Sequence, residues 1–138
     1  MKANDFLLGD YVMYFGKVCV VTHISHCAVV VEEVSGDRDS MLAQPNKLAP
    51  IPLTAEMFRE NWFEIKNDLS GFLLYFSRSQ DGITVHAEEN HIGKHPVWHI
   101  TVDTTYNNKP CVVQIDIDYV HELQHILRLV DAPFEFTL

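Results

Sequence analysis

Cysteine is scarce in this sequence: Cys19, Cys27 and Cys111 are the three present, and none stands in a Cys-x-x-Cys pair. Their number and scatter exclude a disulfide framework and the commonest zinc-ribbon and thioredoxin-like arrangements. Cys19 and Cys27 sit in valine-rich runs and read as small buried hydrophobes. Long apolar runs are missing too. No stretch approaches the ~20 apolar residues needed to span a bilayer, and the opening Met-Lys-Ala-Asn-Asp-Phe-Leu-Leu-Gly-Asp lacks the apolar core of a signal peptide. These absences lead us to expect a cytoplasmic protein without a membrane association. Positive charge is the third shortage, with ten Lys/Arg against nineteen Asp/Glu for a net charge of −9. Residues 1–53 carry four basic against six acidic residues, and residues 54–138 carry six against thirteen. A surface this acidic repels phosphate backbones, which argues against nucleic-acid binding through the C-terminal part. There is also no Gly-rich phosphate loop and no Gly-x-Ser-x-Gly nucleophile elbow.

What remains is ordinary globular composition, 47% hydrophobic and 21% charged over 138 residues. That fits one domain, or two very small ones sharing a core, and needs neither metal nor disulfide to fold. Residues 10–15, 17–24 and 27–34 are rich in Val, Ile and Tyr and are separated by turn residues at Gly16 and Ser25-His26, with another turn at Gly36-Asp37. Met41-Leu42 and residues 48–51 add two shorter candidates. Four or five short strands in so little chain predict a small SH3-like β-barrel. Pro50 and Pro52 end it with a rigid connector. Thr54 then reads as an N-cap and Glu56 as a first-turn anion, predicting a short helix from Ala55 to about Trp62 with Met57, Phe58 and Trp62 on its packed side.

The stretch from Phe72 to Ile117 alternates. A strand ending at Phe76 leads to the turn Asp81-Gly82. Then Ile83, Val85 and Ala87 stand against Thr84, His86 and Glu88. Beyond a loop holding Gly93 and Pro96, Trp98, Ile100 and Val102 stand against His99, Thr101 and Asp103; beyond Asn107-Asn108, Val113, Ile115 and Ile117 stand against Gln114 and Asp116. A period of two with one apolar side predicts an antiparallel meander with one solvated face. Asp118 reads as the cap of a final helix running to about Val130, stopped by Pro133, with its stripe laid across the meander's apolar face. Phe134 and Phe136 form a last strand or plug the core. Trp62, Phe63, Phe72, Tyr75, Phe76 and Trp98 are read as core aromatics.

Within the final helix, His121-Glu122-Leu123-Gln124-His125 matches the zinc-hydrolase pattern His-Glu-x-x-His, in which two imidazoles chelate the metal and the Glu takes a proton from bound water. After His125 only Asp131 and Glu135 are available as a third ligand. At ~100° per residue the two imidazoles fall opposite the stripe of Val120, Leu123, Leu127 and Val130, so both are expected to face water. A second group comprises His86, His91, His95 and His99. A hairpin centred near Ile92-Gly93 would make His86 and His99 direct cross-strand neighbours on the polar face, beside Glu88 and Asp103.

Pro50-Ile51-Pro52-Leu53-Thr54-x-Glu56 followed by Phe63-Glu64, the later Tyr119-Val120-His121-Glu122-Leu123-Gln124 and the Gly9-Asp10-Tyr11-Val12 start together span most of the chain. In them the sequence resembles an uncharacterised short-protein group of gut Bacteroidetes and their prophages. The resemblance implies a bacterial or phage origin and an accessory role on a mobile element. The group's pattern places Asn where His125 stands, which implies that the complete His-Glu-x-x-His is peculiar to this chain.

The expectation is therefore an α+β protein: an N-terminal SH3-like small β-barrel over residues 1–53, then a helix, an antiparallel β-meander and a C-terminal helix over residues 54–138. No catalytic residue, cofactor or metal is assigned. The zinc candidates kept in view are His121, His125 and Glu122, with His86 and His99 as a second group. The leading function is a non-enzymatic, protein-binding accessory protein. A zinc-dependent hydrolase and nucleic-acid binding through the less acidic barrel are the alternatives.

Overall fold

The computed structural model describes residues 5–36, 39–67, 74–90 and 97–138. It is an α+β protein with two five-stranded antiparallel sheets and a C-terminal helix. The chain divides into two compact units, one of Met1–Pro52, Tyr119–Gln124 and Thr137–Leu138, the other of Leu53–Asp118 and His125–Phe136.

In the first unit the strands are Tyr11–Tyr14 (β1), Lys17–Ile24 (β2), Val29–Glu33 (β3), Ser40–Ala43 (β4) and Leu48–Ala49 (β5), ordered β4-β3-β2-β1-β5. A 3-10 turn over Pro45–Lys47 delivers β5 to β1, where Met13 pairs with Ala49 and Tyr14 with Leu48. Val12, Cys19, Val21, Val29, Val31, Ala43 and Leu48 are buried together with Phe6. Cys19 is thus core, as expected. Cys27 is exposed, because β3 starts only at Val29 and the preceding turn is closed by Ser25, whose hydroxyl bonds the Ala28 carbonyl at 3.0 Å.

In the second unit, Ala55–Glu60 forms α1, followed by Glu64–Asn67 (β6), Leu74–Gln80 (β7), Ile83–Asn90 (β8), Val97–Tyr106 (β9) and Lys109–Ile117 (β10), ordered β10-β9-β8-β7-β6. The Thr54 hydroxyl accepts from the Met57 amide, as an N-cap should. The β7–β8 turn at Asp81-Gly82 (φ 50° and 80°) and the β9–β10 turn at Asn107-Asn108 (φ 50° and 60°) have the doubly positive φ of type I′ hairpins. The alternation holds inside the sheet: Val85, Ala87, Trp98, Ile100 and Val102 are fully buried. It fades on β10, where Ile117 is buried but Ile115 is 44% exposed. β10 is the sheet's margin, with no neighbour beyond it among the described residues to cover that side.

Phe58 of α1 is the hub of the inward face. Its ring lies 4.6 Å from Trp98, 5.1 Å from Phe63, and 5.4 Å from both Phe76 and Phe136. Phe134 and Phe136 are buried without forming a strand, so they plug the core. The Trp98 indole N–H donates to the Leu53 carbonyl at 3.2 Å, which satisfies the one polar atom this cluster would otherwise strand. Arg78 also faces inward. Its Nη1 donates to the Asn61 carbonyl at 2.8 Å while the guanidinium lies 4.1 Å from the Phe134 ring centroid, and burial lowers its pKa.

Two expected core aromatics are placed otherwise. Trp62 is 82% exposed, because α1 stops at Glu60 and the chain turns there through a Schellman motif. The Phe63 amide donates to the Phe58 carbonyl and the Trp62 amide to the Arg59 carbonyl, which forces φ 64° on Trp62. Tyr75 is half-buried on the opposite face from Phe76, and Phe72 lies outside the described residues. In the C-terminal helix Val120–Leu129 (α2), Val120, Leu123, Ile126 and Leu127 are buried, while Val130, expected in the same stripe, is half-buried. No helix among the described residues is long and apolar enough to cross a membrane.

Two aromatics four residues apart should therefore respond oppositely. Phe58→Ala should lose about 3–5 kcal/mol of unfolding free energy. Trp62→Gly should gain about 1 kcal/mol, since glycine relieves the left-handed strain and little packing is lost. Urea titrations of the two variants check both signs.

Candidate functional site on the outer face of the second sheet

With Phe76, Ala87 and Ile100 paired across β7, β8 and β9 and turned inward, strand periodicity sets Tyr75, His86, Glu88, His99, Thr101, Asp103, Gln114 and Asp116 on the other side. His86 lies opposite Thr101, and His99 lies opposite Glu88. The two imidazoles therefore share a face as expected but are diagonal, not directly paired. The β8–β9 register is two residues away from a hairpin centred at Ile92-Gly93, because Asn90 pairs with Val97. His91 and His95 lie outside the described residues.

The side chains on this face are joined. The Tyr75 hydroxyl meets His86 Nδ1, and the two rings stack with centroids 5.3 Å apart at 24°. His86 Nε2 is 3.1 Å from Asp103 Oδ2. One strand further, His99 Nδ1 is 2.6 Å from Asp116 Oδ1, directly across the β9–β10 pair. A carboxylate only accepts, so Nε2 of His86 carries the hydrogen; Nδ1 of the neutral ring is then bare and accepts the phenolic proton. The order is carboxylate, imidazole, hydroxyl, as in a nucleophile relay.

The electrostatics run against that use. Burial pushes the Tyr75 pKa upward, and the negative charges of Asp103 and Glu88 push it further the same way. A nucleophile or base at neutral pH requires the reverse shift. Tyr75 is held as a protonated donor, fixed by His86 and flanked by acids. That suits recognition.

The His-Glu-x-x-His segment lies in α2. His121 is buried at 8% exposure and stacks on Tyr119, with ring centroids 5.9 Å apart, while His125 is half-buried. The expectation that both imidazoles face water is thus corrected: α2 is buried over a broad arc that includes the polar pair His121 and Gln124, and helical phase against one apolar stripe did not capture it. Glu122 accepts the Tyr119 amide at 3.0 Å, the back-bond of a capping box. Gln124 accepts from the Tyr11 amide at 3.0 Å and donates to the Gly9 carbonyl at 3.1 Å, tying the helix's first turns to the start of β1 within the first unit. Among the described residues no three His, Cys, Asp or Glu side chains are grouped so as to hold a metal ion.

Tyr75, Asp116 and Gln124 were not singled out by the sequence. For Tyr75 the signal was present: an inward Phe76 forces its neighbour outward. For Gln124 there was none, since its partners lie 113 and 115 residues away.

Two measurements follow from this geometry. A phenol with a raised folded pKa holds its proton more tightly than in the unfolded chain, so its contribution to stability is present below pH 10.0 and is lost as pH rises through the folded value. Tyr75→Phe should remove a 295 nm titration step centred above pH 10.0 and flatten the accompanying loss of stability. Gln124→Ala should cost about 1–3 kcal/mol by stranding two backbone groups, and His125→Ala should cost less than Gln124→Ala in the same thermal melts.

Compared with known families, with curated proteins and with solved structures, the chain matches none.

Proposed function

We propose that this chain is a non-enzymatic accessory protein that binds a protein partner through the outer face of its second sheet. The observation that carries the reading is the Tyr75–His86–Asp103 chain. It is ordered and solvent-accessible, yet its terminal hydroxyl is shifted away from reactivity. Hydrogen-bonding groups held in place before binding lose less entropy on association. The partner is a basic protein segment, since Glu88, Asp103 and Asp116 share the face and residues 54–138 hold thirteen acidic against six basic residues. The same imbalance disfavours nucleic acid.

The order β4-β3-β2-β1-β5, with a 3-10 turn leading into a β5 that returns to β1, supports an SH3-like barrel. Three free thiols, one of them exposed, suit a reducing cytoplasm. The resemblance to the Bacteroidetes and prophage group supports a mobile-element setting.

Affinity capture from a bacterial lysate is the test, comparing the native chain with Glu88→Lys/Asp116→Lys. The native chain should retain a stoichiometric basic partner that salt elutes and the charge-reversed chain loses. Identical recovery by both chains, or capture of nothing, overturns the proposal.

A further inference from the structure

The margins of the two sheets are unequal. β4 has four residues, β5 has two, and β6 has four with Glu64 and Lys66 among them. Each is short or charged, the usual ways in which an edge is kept from pairing. β10 has nine residues, reads Lys-Pro-Cys-Val-Val-Gln-Ile-Asp-Ile, and leaves Val112 56% and Ile115 44% exposed.

We propose that β10 pairs antiparallel with β10 of a second copy of this chain, joining the two second sheets into one. The register follows from the hairpin. A two-residue turn at Asn107-Asn108 closes on a hydrogen-bonded pair, Tyr106 and Lys109, so the odd-numbered residues of β10 direct their backbone groups to β9. The backbone groups of Val112, Gln114 and Asp116 then point away from the sheet, and Pro110, with no amide hydrogen to offer, marks where that free row begins. A two-fold axis at Gln114 sets Gln114 against its own copy and Val112 against the partner's Asp116. It also sets Val113 against the partner's Ile115, which covers the apolar residue the fold leaves open.

A second copy fits this edge because β10 is self-complementary in that register. Like charges are never opposed, Asp116 is already held by its own His99, and the β-branched pairs Val113 and Ile115 meet on the apolar side. The net charge of −9 on each copy makes the association weaker at low salt and tighter as salt screens it. This surface is the sheet's edge and does not depend on the partner proposed for the outer face, although Asp116 borders both.

Sedimentation equilibrium of the full chain over a range of concentrations tests it. The native chain should dimerise, more tightly at higher salt. Gln114→Pro removes an outward amide without touching the β9 ladder and should weaken the dimer roughly tenfold or more, with an unchanged circular dichroism spectrum. Val112→Glu sets a like charge directly against the partner's Asp116 and should do the same, and it decides the matter if the proline variant fails to fold. A native chain that remains monomeric up to about 100 μM, or a folded variant that dimerises as the native chain does, overturns the proposal.

Discussion

The second sheet takes its orientation from the burial of one row, Phe76, Ala87 and Ile100, on the side where Phe58, Trp98 and Phe136 collect. Side chains on a strand alternate with a period of two, so a slip of a single residue would turn the row outward and expose three fully buried groups at once. Burying an aromatic ring of this kind is worth about 1.5–3 kcal/mol. The register is therefore strongly enforced from below. The polar face is its consequence: Tyr75, His86 and Asp103 meet because their inward neighbours are fixed.

That division explains why the outer network can be ordered while remaining wet. A hydrogen-bonded chain on an exposed sheet would ordinarily spend rotamer entropy to hold its geometry. Here each member stands on a strand pinned from the opposite side, and the stacked Tyr75 and His86 rings limit one another. The acids nearby then set the chemistry. Burial first, and then the charges of Asp103 and Glu88, hold the phenol's pKa up, while Asp103 fixes the imidazole tautomer. The outcome is a surface that presents hydrogen-bond donors and acceptors in fixed positions.

Much of the architecture was legible in the sequence because it rests on local periodicity. The alternation through β8 and β9, the Thr54 cap and the Asp81-Gly82 turn all concern residues within a few positions of one another. The chain is less readable where tertiary partners decide. Trp62 looked like the next apolar residue of a helix, and nothing local announced the Schellman turn that ends α1 two residues earlier. His121 looked solvated against an apolar stripe, but the helix has a second buried strip whose Gln124 bonds Gly9 and Tyr11. Ile115 fits the alternation, yet its exposure depends on β10 being the outermost strand. Of the candidate site, the polar face and its two histidines were foreseen; their diagonal placement and the Tyr75 and Asp116 partners required the register.

The central claim is that His86 is locked between a phenol that donates to Nδ1 and a carboxylate that accepts from Nε2. Imidazole nitrogen chemical shifts of the ¹⁵N-labelled chain read this directly. The account predicts a single Nε2–H tautomer for His86, replaced by an averaged signal in Asp103→Ala. A ring that averages between tautomers in the native chain, or carries its hydrogen on Nδ1, would contradict it.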